Sequence, residues 1–255
     1  MKNLFTVDHV SVRIAEYEIL HDISIELYEG LATCIVGKAG SGKSTLLKTV
    51  AGLMLPYAGS VFFRGKNIHA MNKREELKFR SVCSFAFQDA ALWANQTIYN
   101  NLALPLAIHK PHLNKSETDA TVKRVIQRVG YLEGLGFRPA DLSMGEQKLI
   151  SIARSLICEP EVLLLDEPTA SLDHEAVDRL IQVLTEEKKA GKTIIMVTHD
   201  ANLIARIADY ICVVANGTLA TQGSAEKIAP LLGGDLIRKI RENKIQEITL
   251  EDPRR

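Results

Sequence analysis

The sequence predicts an α/β protein with a mixed, mainly parallel sheet flanked by helices, an antiparallel β region near its N-terminus and a helical block inserted midway. Three observations carry this. The apolar runs at 31–36, 162–165, 193–197 and 210–215 have the length and unbroken hydrophobicity of strands covered on both faces. The later runs alternate with segments of helical periodicity, the pattern of strands joined by crossovers. From 97 to 158, by contrast, helical spacing dominates.

Taken in order, residues 4–12 and 23–27 alternate partially as strands, and Glu29-Gly30 supplies a turn. The run 31–36 leads into a glycine-rich loop, after which Leu46, Leu47, Val50 and Ala51 mark a helix that Gly52 and Pro56 end. A short strand is expected at 58–65. In the helical block, Val122, Val125, Ile126 and Val129 form one apolar stripe, and Leu149, Ile150, Ile152, Ala153, Leu156 and Ile157 another, on a helix at 146–158. Then follow a strand at 161–166, a helix at 174–190 buried through Val177, Leu180, Ile181 and Leu184, a strand at 193–198, a helix at 201–208 and a strand at 210–215. Asn216-Gly217 turns that strand into a hairpin with 218–221. One domain is expected over 1–234, with its helical insertion at about 90–158. The mixed-charge tail at 235–255, with Leu236, Ile237 and Ile240 at helical spacing, either docks on a partner or stays solvated.

Composition narrows the function. In 255 residues, 31 Lys+Arg balance 31 Asp+Glu, which argues against a globally basic nucleic-acid binder. No apolar stretch approaches the roughly 18–20 residues of a membrane span, and residues 1–5 lack a signal peptide's apolar core. Cys34, Cys83, Cys158 and Cys212 are far apart and read as buried thiols in a reducing compartment. The expectation is a cytoplasmic chain that does not itself cross a bilayer.

The segment Gly37-Lys38-Ala39-Gly40-Ser41-Gly42-Lys43-Ser44-Thr45 fits G-x-x-x-x-G-K-[ST] between a buried strand and a helix. Its glycines let backbone N–H groups converge on phosphate oxygens, and the helix N-terminus adds partial positive charge. Lys43 would reach the β- and γ-phosphates, and the Ser44 hydroxyl would ligate Mg²⁺. The strand at 162–166 ends in Asp166-Glu167. Asp166 is placed to hold Mg²⁺ and Glu167, one residue further out, to polarise an attacking water. Together these motifs describe a nucleoside-triphosphate hydrolase.

Leu142-Ser143-Met144-Gly145-Glu146-Gln147 reads locally as a capping box before an amphipathic helix. Lying 24 residues before Glu167, it also resembles the LSGGQ signature of ATP-binding cassette (ABC) ATPases. Further motifs of that family follow in order: Gln88 resembles the glutamine of the Q-loop, Ala170-Ser171-Leu172-Asp173 the D-loop, and Thr198-His199-Asp200 the switch histidine. The resemblance implies a RecA-like core and a head-to-tail homodimer holding two ATP molecules with Mg²⁺. By it, Ser143, Met144, Gly145 and Glu146 face the partner's γ-phosphate and Glu167 is the general base. His199 holds the γ-phosphate and water, Gln88 senses both water and Mg²⁺, and Asp173 communicates across the interface. Met144 replaces the first signature glycine, and Lys38-Ala39 replace a Pro-Ser pair, Lys38 reading as solvated. At the usual adenine-stacking position stands Ile14, with Tyr17 a nearby substitute.

Residues 85–106 lie where transporter ATPases of the family meet membrane partners. Their F-Q-x-x-A-L-[FW] run, aromatic-Asn unit and Pro-Leu pair resemble the ATPases of Mla/MCE lipid transporters. That likeness implies transmembrane permease partners, an MCE-type lipid-binding protein and a place on the cytoplasmic face of the inner membrane. Trp93 either anchors that interface or packs the helical region with Leu92. The competing class is a soluble ABC ATPase serving as an assembly factor of the iron–sulfur scaffold type. A nucleic-acid or ribosome-associated ABC protein is disfavoured by the single phosphate loop and the balanced charge.

Overall fold

The computed structural model describes residues 1–231, so the tail at 235–255 lies outside the described residues. Its strands are β1 (Asn3–Ile14), β2 (Tyr17–Tyr28), β3 (Ala32–Val36), β4 (Ala58–Phe63), β5 (Lys66–Asn67), β6 (Cys83–Ala86), β7 (Val162–Asp166), β8 (Thr193–Val197), β9 (Tyr210–Ala215) and β10 (Thr218–Ser224). Its helices are α1 (Lys43–Val50), α2 (Lys73–Val82), α3 (Ile98–His109), α4 (Lys115–Val129), α5 (Met144–Leu156), α6 (His174–Lys189), α7 (Ala201–Ile207) and α8 (Ala225–Leu231). Two sheets form. One has the order β2-β1-β4-β5 and is antiparallel throughout; the other runs β10-β9-β3-β8-β7-β6, parallel except for the β9–β10 hairpin.

The parallel strands read as unbroken apolar runs because both faces are covered. Cys34, Val36, Leu163, Leu165, Ile194 and Met196 face a core shared with α3 to α7. Their neighbours Ile35, Leu164, Ile195 and Val197 face a second core, shared with α1 and the antiparallel sheet. α1 is held there by Leu46, Leu47 and Val50, each fully buried, and each such side chain contributes roughly 1.5–3 kcal/mol. This anchoring fixes the glycine loop that precedes α1.

The expected strands and helices appear within a few residues of their predicted limits, except that β2 begins already at Tyr17 rather than at 23 and β10 extends to Ser224. Four elements escape the sequence pattern: the two-residue β5, α8, α2 and β6. α2 buries only Phe79, so it carries no apolar stripe; a capping box from Asn72 and Glu75 starts it. β6 is a four-residue edge strand, paired only with β7, and its ends alone are buried. Together they carry the chain back to the central sheet and deliver Gln88 to the same edge as Asp166. Three of the four cysteines are buried as expected, whereas Cys158 is only half-buried; all four are free. Among the described residues, no helix is long and apolar enough to cross a membrane.

Candidate functional site

The site gathers at the carboxyl ends of the parallel strands, where α/β sheets place their ligands. After β3 the chain turns through Gly37, at φ 154°, where a Cβ would lie 2.1 Å from the Val214 carbonyl oxygen. Gly42, at φ 94°, would put a Cβ 2.6 Å from Leu20 and 3.0 Å from the Ile19 carbonyl oxygen. Both positions therefore require glycine. The loop curls over Lys43, whose Nζ donates to the Lys38 carbonyl at 2.7 Å. Lys38, Ala39 and Gly40 are exposed, whereas Ser41, Gly42 and Lys43 are buried. Burial lowers the Lys43 pKa, opposed by the Glu167 and Asp166 carboxylates that favour the ammonium. No side chain caps α1 and its first turn holds no acid, which leaves its N-terminus open to an anion.

The Ser44 hydroxyl donates to Asp166 Oδ1 at 2.8 Å, while Asp166 Oδ2 is buried without a hydrogen-bond partner. A hydroxyl beside a carboxylate with a spare oxygen is a hard-oxygen donor set that fits Mg²⁺. The cradle beside it, closed to any Cβ at Gly37 and Gly42, fits a polyphosphate. Glu167 sits at φ 45°, a conformation costly for a side-chain-bearing residue, and its N–H donates to the Val197 carbonyl at 2.9 Å. Its Oε2 lies 2.9 Å from Nδ1 of His199, whose side chain is 74% exposed while that of Glu167 is 11% exposed. Thr45 continues α1 half-buried, its carbonyl accepting from the Thr49 hydroxyl.

The signature segment is separate. Ser143 caps α5 in a full capping box, its Oγ donating to Glu146 Oε2 at 2.6 Å and its N–H to the same oxygen at 2.8 Å. Those bonds lower the Glu146 pKa and keep it a carboxylate, a departure from the LSGGQ pattern. Met144 is 74% exposed at the helix start. Gly145 is pressed against the D-loop, since a Cβ there would come within 2.8 Å of the Ser171 carbonyl oxygen. Asp173 caps α6, accepting from the Ala176 N–H at 2.8 Å. Gln88 is exposed after β6. Lys43, Ser44, Asp166, Glu167 and His199 thus form one cluster, and none of Ser143, Met144, Gly145 and Glu146 is hydrogen-bonded or ion-paired to it among the described residues. Ile14 and Tyr17 face one another beside the turn of the β1–β2 hairpin, both exposed.

Three residues that sequence reading missed organise the loop around Gln88. Lys148, 1% exposed, donates through Nζ to the carbonyls of Phe87, Gln88 and Asp166 at 2.9, 3.2 and 3.0 Å. Its pKa is pushed down to about 8, by burial first, against the carboxylates of Asp166, Glu167 and Asp89. Arg154 donates to the Ala91 and Ala90 carbonyls at 2.9 and 3.0 Å. Asn101, fully buried, accepts from the Trp93 N–H at 2.8 Å and donates to the carbonyls of Trp93 and Thr97. Trp93 itself is 43% exposed, its ring 5.4 Å from the Arg154 guanidinium, whereas Leu92 packs on the main core. Two of them carried a signal, a polar side chain at a buried helix position: Asn101, and Lys148 in the stripe Lys148, Ser151, Ile152 and Ser155, whereas Arg154 is only half-buried.

A glycine cradle at one strand end, a hydroxyl–carboxylate pair and a glutamate–histidine pair at its neighbours define the phosphate-loop nucleotide-binding class, here with an ATP-binding cassette's signature helix alongside. Residues 20–170 match the family described as ABC transporter, and the chain belongs to that family as one of its ATP-binding subunits. It is similar to methionine import ATP-binding protein MetN 1 of Pseudomonas putida, 34% identical over 223 residues covering 86% of this chain and 66% of that protein. It is likewise similar to methionine import ATP-binding protein MetN of Clostridioides difficile, 32% identical over 226 residues covering 88% of this chain and 70% of that one. The chain thus spans about two thirds of the length of the curated relatives it matches. Among solved structures, a dimeric ATP-binding cassette in a post-hydrolysis state with ADP and phosphate superimposes with a TM-score of 0.80 at 26% identity, covering 87% of this chain and 98% of that one. cbiO1 of Clostridium perfringens, part of the ABC transporter complex cbiONQ, gives 0.73 at 30% identity, covering 94% and 95%. The fold is therefore that of an ABC cassette. The narrower likeness to Mla/MCE lipid transporters finds no support in these relatives, whose names state methionine import. That likeness rested on a short stretch, whereas the similarity to the methionine importers extends over 223 to 226 residues.

Proposed function

We propose that this chain is the ATP-hydrolysing motor subunit of an ABC transporter, working as a homodimer that closes around two ATP molecules and drives a transmembrane permease from the cytoplasmic face of the membrane. The observation that carries this reading is the meeting of Lys43, the Ser44–Asp166 pair and the Glu167–His199 pair at three adjacent strand ends. In it, the loop 37–45 binds phosphates through backbone N–H groups and the Lys43 ammonium. Mg²⁺, when bound, supplies neutralisation of the β- and γ-phosphate charge, with Ser44, Asp166 and Gln88 as its holders on this chain. Glu167 orients the attacking water and takes its proton, and His199, 2.9 Å away, steadies that carboxylate and the γ-phosphate. Ser143 exchanges its bond to Glu146 for the partner's phosphate, which Met144 and Gly145 approach through their N–H groups.

The lack of any hydrogen bond or ion pair, among the described residues, between Ser143–Glu146 and the phosphate cluster supports a site shared between two copies. Ser143→Arg is accordingly expected to lower turnover at least about tenfold while ATP binding by the monomer stays within about twofold of wild type. Full turnover in that variant would overturn the shared site.

The permease reading draws on an open groove of about 490 Å³ lined by Trp93, Asn95, Gln96, Asn100 and Leu104, directly after the Gln88 loop. Its mixed aromatic and amide lining suits a short amphipathic helix. Co-expression with its permease tests this: a chain that stays soluble and binds no membrane protein favours the assembly-factor reading instead. For cargo, the names of the relatives favour methionine or a similar small solute, while the stretch 85–106 favours lipid with an MCE-type partner. Transport by the intact complex in vesicles decides: ATP-dependent methionine uptake without lipid transfer would exclude the lipid reading, and ATP-dependent lipid transfer without methionine uptake the amino-acid one.

A further inference from the structure

Lys148 takes no part in the chemistry above, yet all three of its ammonium donors are committed. They go to backbone carbonyls of two separate segments, Phe87 and Gln88 in one and Asp166 in the other. A buried ammonium is retained only where it is so satisfied, and the carboxylates of Asp166, Glu167 and Asp89 supply the compensating field. Nearly two turns along α5, Arg154 holds the next carbonyls of the same loop, those of Ala90 and Ala91. These two alanines stand at φ 62° and 46°, so the loop occupies a conformation that its surroundings must impose. The helix that begins at the signature segment therefore straps down the loop bearing Gln88 and, through Asp166, the end of β7. Neither cation touches the phosphate loop itself.

We propose that Lys148 is a positioning residue for ATP hydrolysis, its ammonium locking the glutamine loop, the acidic strand and the signature helix into one unit so that Gln88 and Asp166 keep their places and displacement of the Trp93 segment is transmitted to both. This rests on the functional reading above and adds to it the element that joins the permease groove to the reaction centre.

The test compares the full chain with Lys148→Met, which keeps the length but has no donor, and Lys148→Gln, which returns two donors at shorter reach. Hydrogen exchange of the nucleotide-free protein reads the strap directly. Amides at 87–93 are expected to exchange at least about tenfold faster in the methionine variant, those of α1 and β3 staying unchanged, with partial recovery in the glutamine variant. In steady-state hydrolysis, kcat is expected to fall at least about tenfold with KM within about twofold, again partly recovered by glutamine. Unchanged exchange at 87–93, or kcat within about twofold of wild type in the methionine variant, would overturn the proposal. So would faster exchange throughout the chain with kcat reduced only in proportion to the unfolded fraction, because Lys148 would then serve stability alone. A wild-type chain that hydrolyses no ATP would instead sink the functional reading, and the strap would still be decided by exchange.

Discussion

Glu167→Gln is expected to lower ATP turnover by roughly 10²–10⁴-fold, the range for losing a positioned general base, while leaving nucleotide binding intact. Glutamine preserves the shape and can still meet Nδ1 of His199, but it cannot accept the proton of the attacking water. The backbone at φ 45°, tied to the Val197 carbonyl, aims whatever side chain stands there into the cluster. With hydrolysis blocked and binding retained, the ATP-bound dimer should accumulate, visible as a larger species on a sizing column only when ATP and Mg²⁺ are present. Near wild-type turnover would remove Glu167 from the role of base. A dead enzyme that never dimerises would show that the substitution had damaged the fold or the interface instead.

Lys43→Ala acts on binding. The ammonium is buried and faces two carboxylates, Asp166 and Glu167, which would repel a polyphosphate if left unopposed. Removing it deletes charge-assisted hydrogen bonds of about 1.5–3 kcal/mol, so nucleotide affinity should fall about ten- to a hundredfold. Titration calorimetry with a non-hydrolysable ATP analogue measures this directly. Unchanged affinity would overturn the phosphate cradle. Lys43→Ala and Glu167→Gln should also separate cleanly, the first losing the ligand and the second keeping it.

Much of this was legible in the residues because it depends on local rules. The glycine loop declared itself through spacing; Gly37 does meet backbone too close for any Cβ, and Gly42 is held at φ 94° against the Leu20 side chain. Ser143 and Glu146 were readable as a capping box and form one. The parallel strands were found because burial on both faces writes an uninterrupted apolar run. α2 and β6 were missed because one is nearly all polar and the other an edge strand, so neither writes a periodic pattern. Lys148 and Arg154 were missed because their partners are backbone carbonyls of distant segments, and Asn101 because its partners, though within eight positions, are backbone groups too, which carry no residue identity to recognise.

The absence of a membrane-length apolar stretch and the balance of 31 cations against 31 anions were fixed by the sequence itself, as were the fold class and the residues of the phosphate loop. Spacing and periodicity act over a few residues, and a sequence displays them directly. What only the tertiary structure decided was which groups meet: Ser44 with Asp166 across 122 positions, Glu167 with His199, and Lys148 with a loop 60 positions away. It also decided that Trp93 stands exposed while Leu92 packs inward. Such contacts are set by how strands order themselves in the sheet, β7 between β8 and β6, and that order arises from packing many side chains at once.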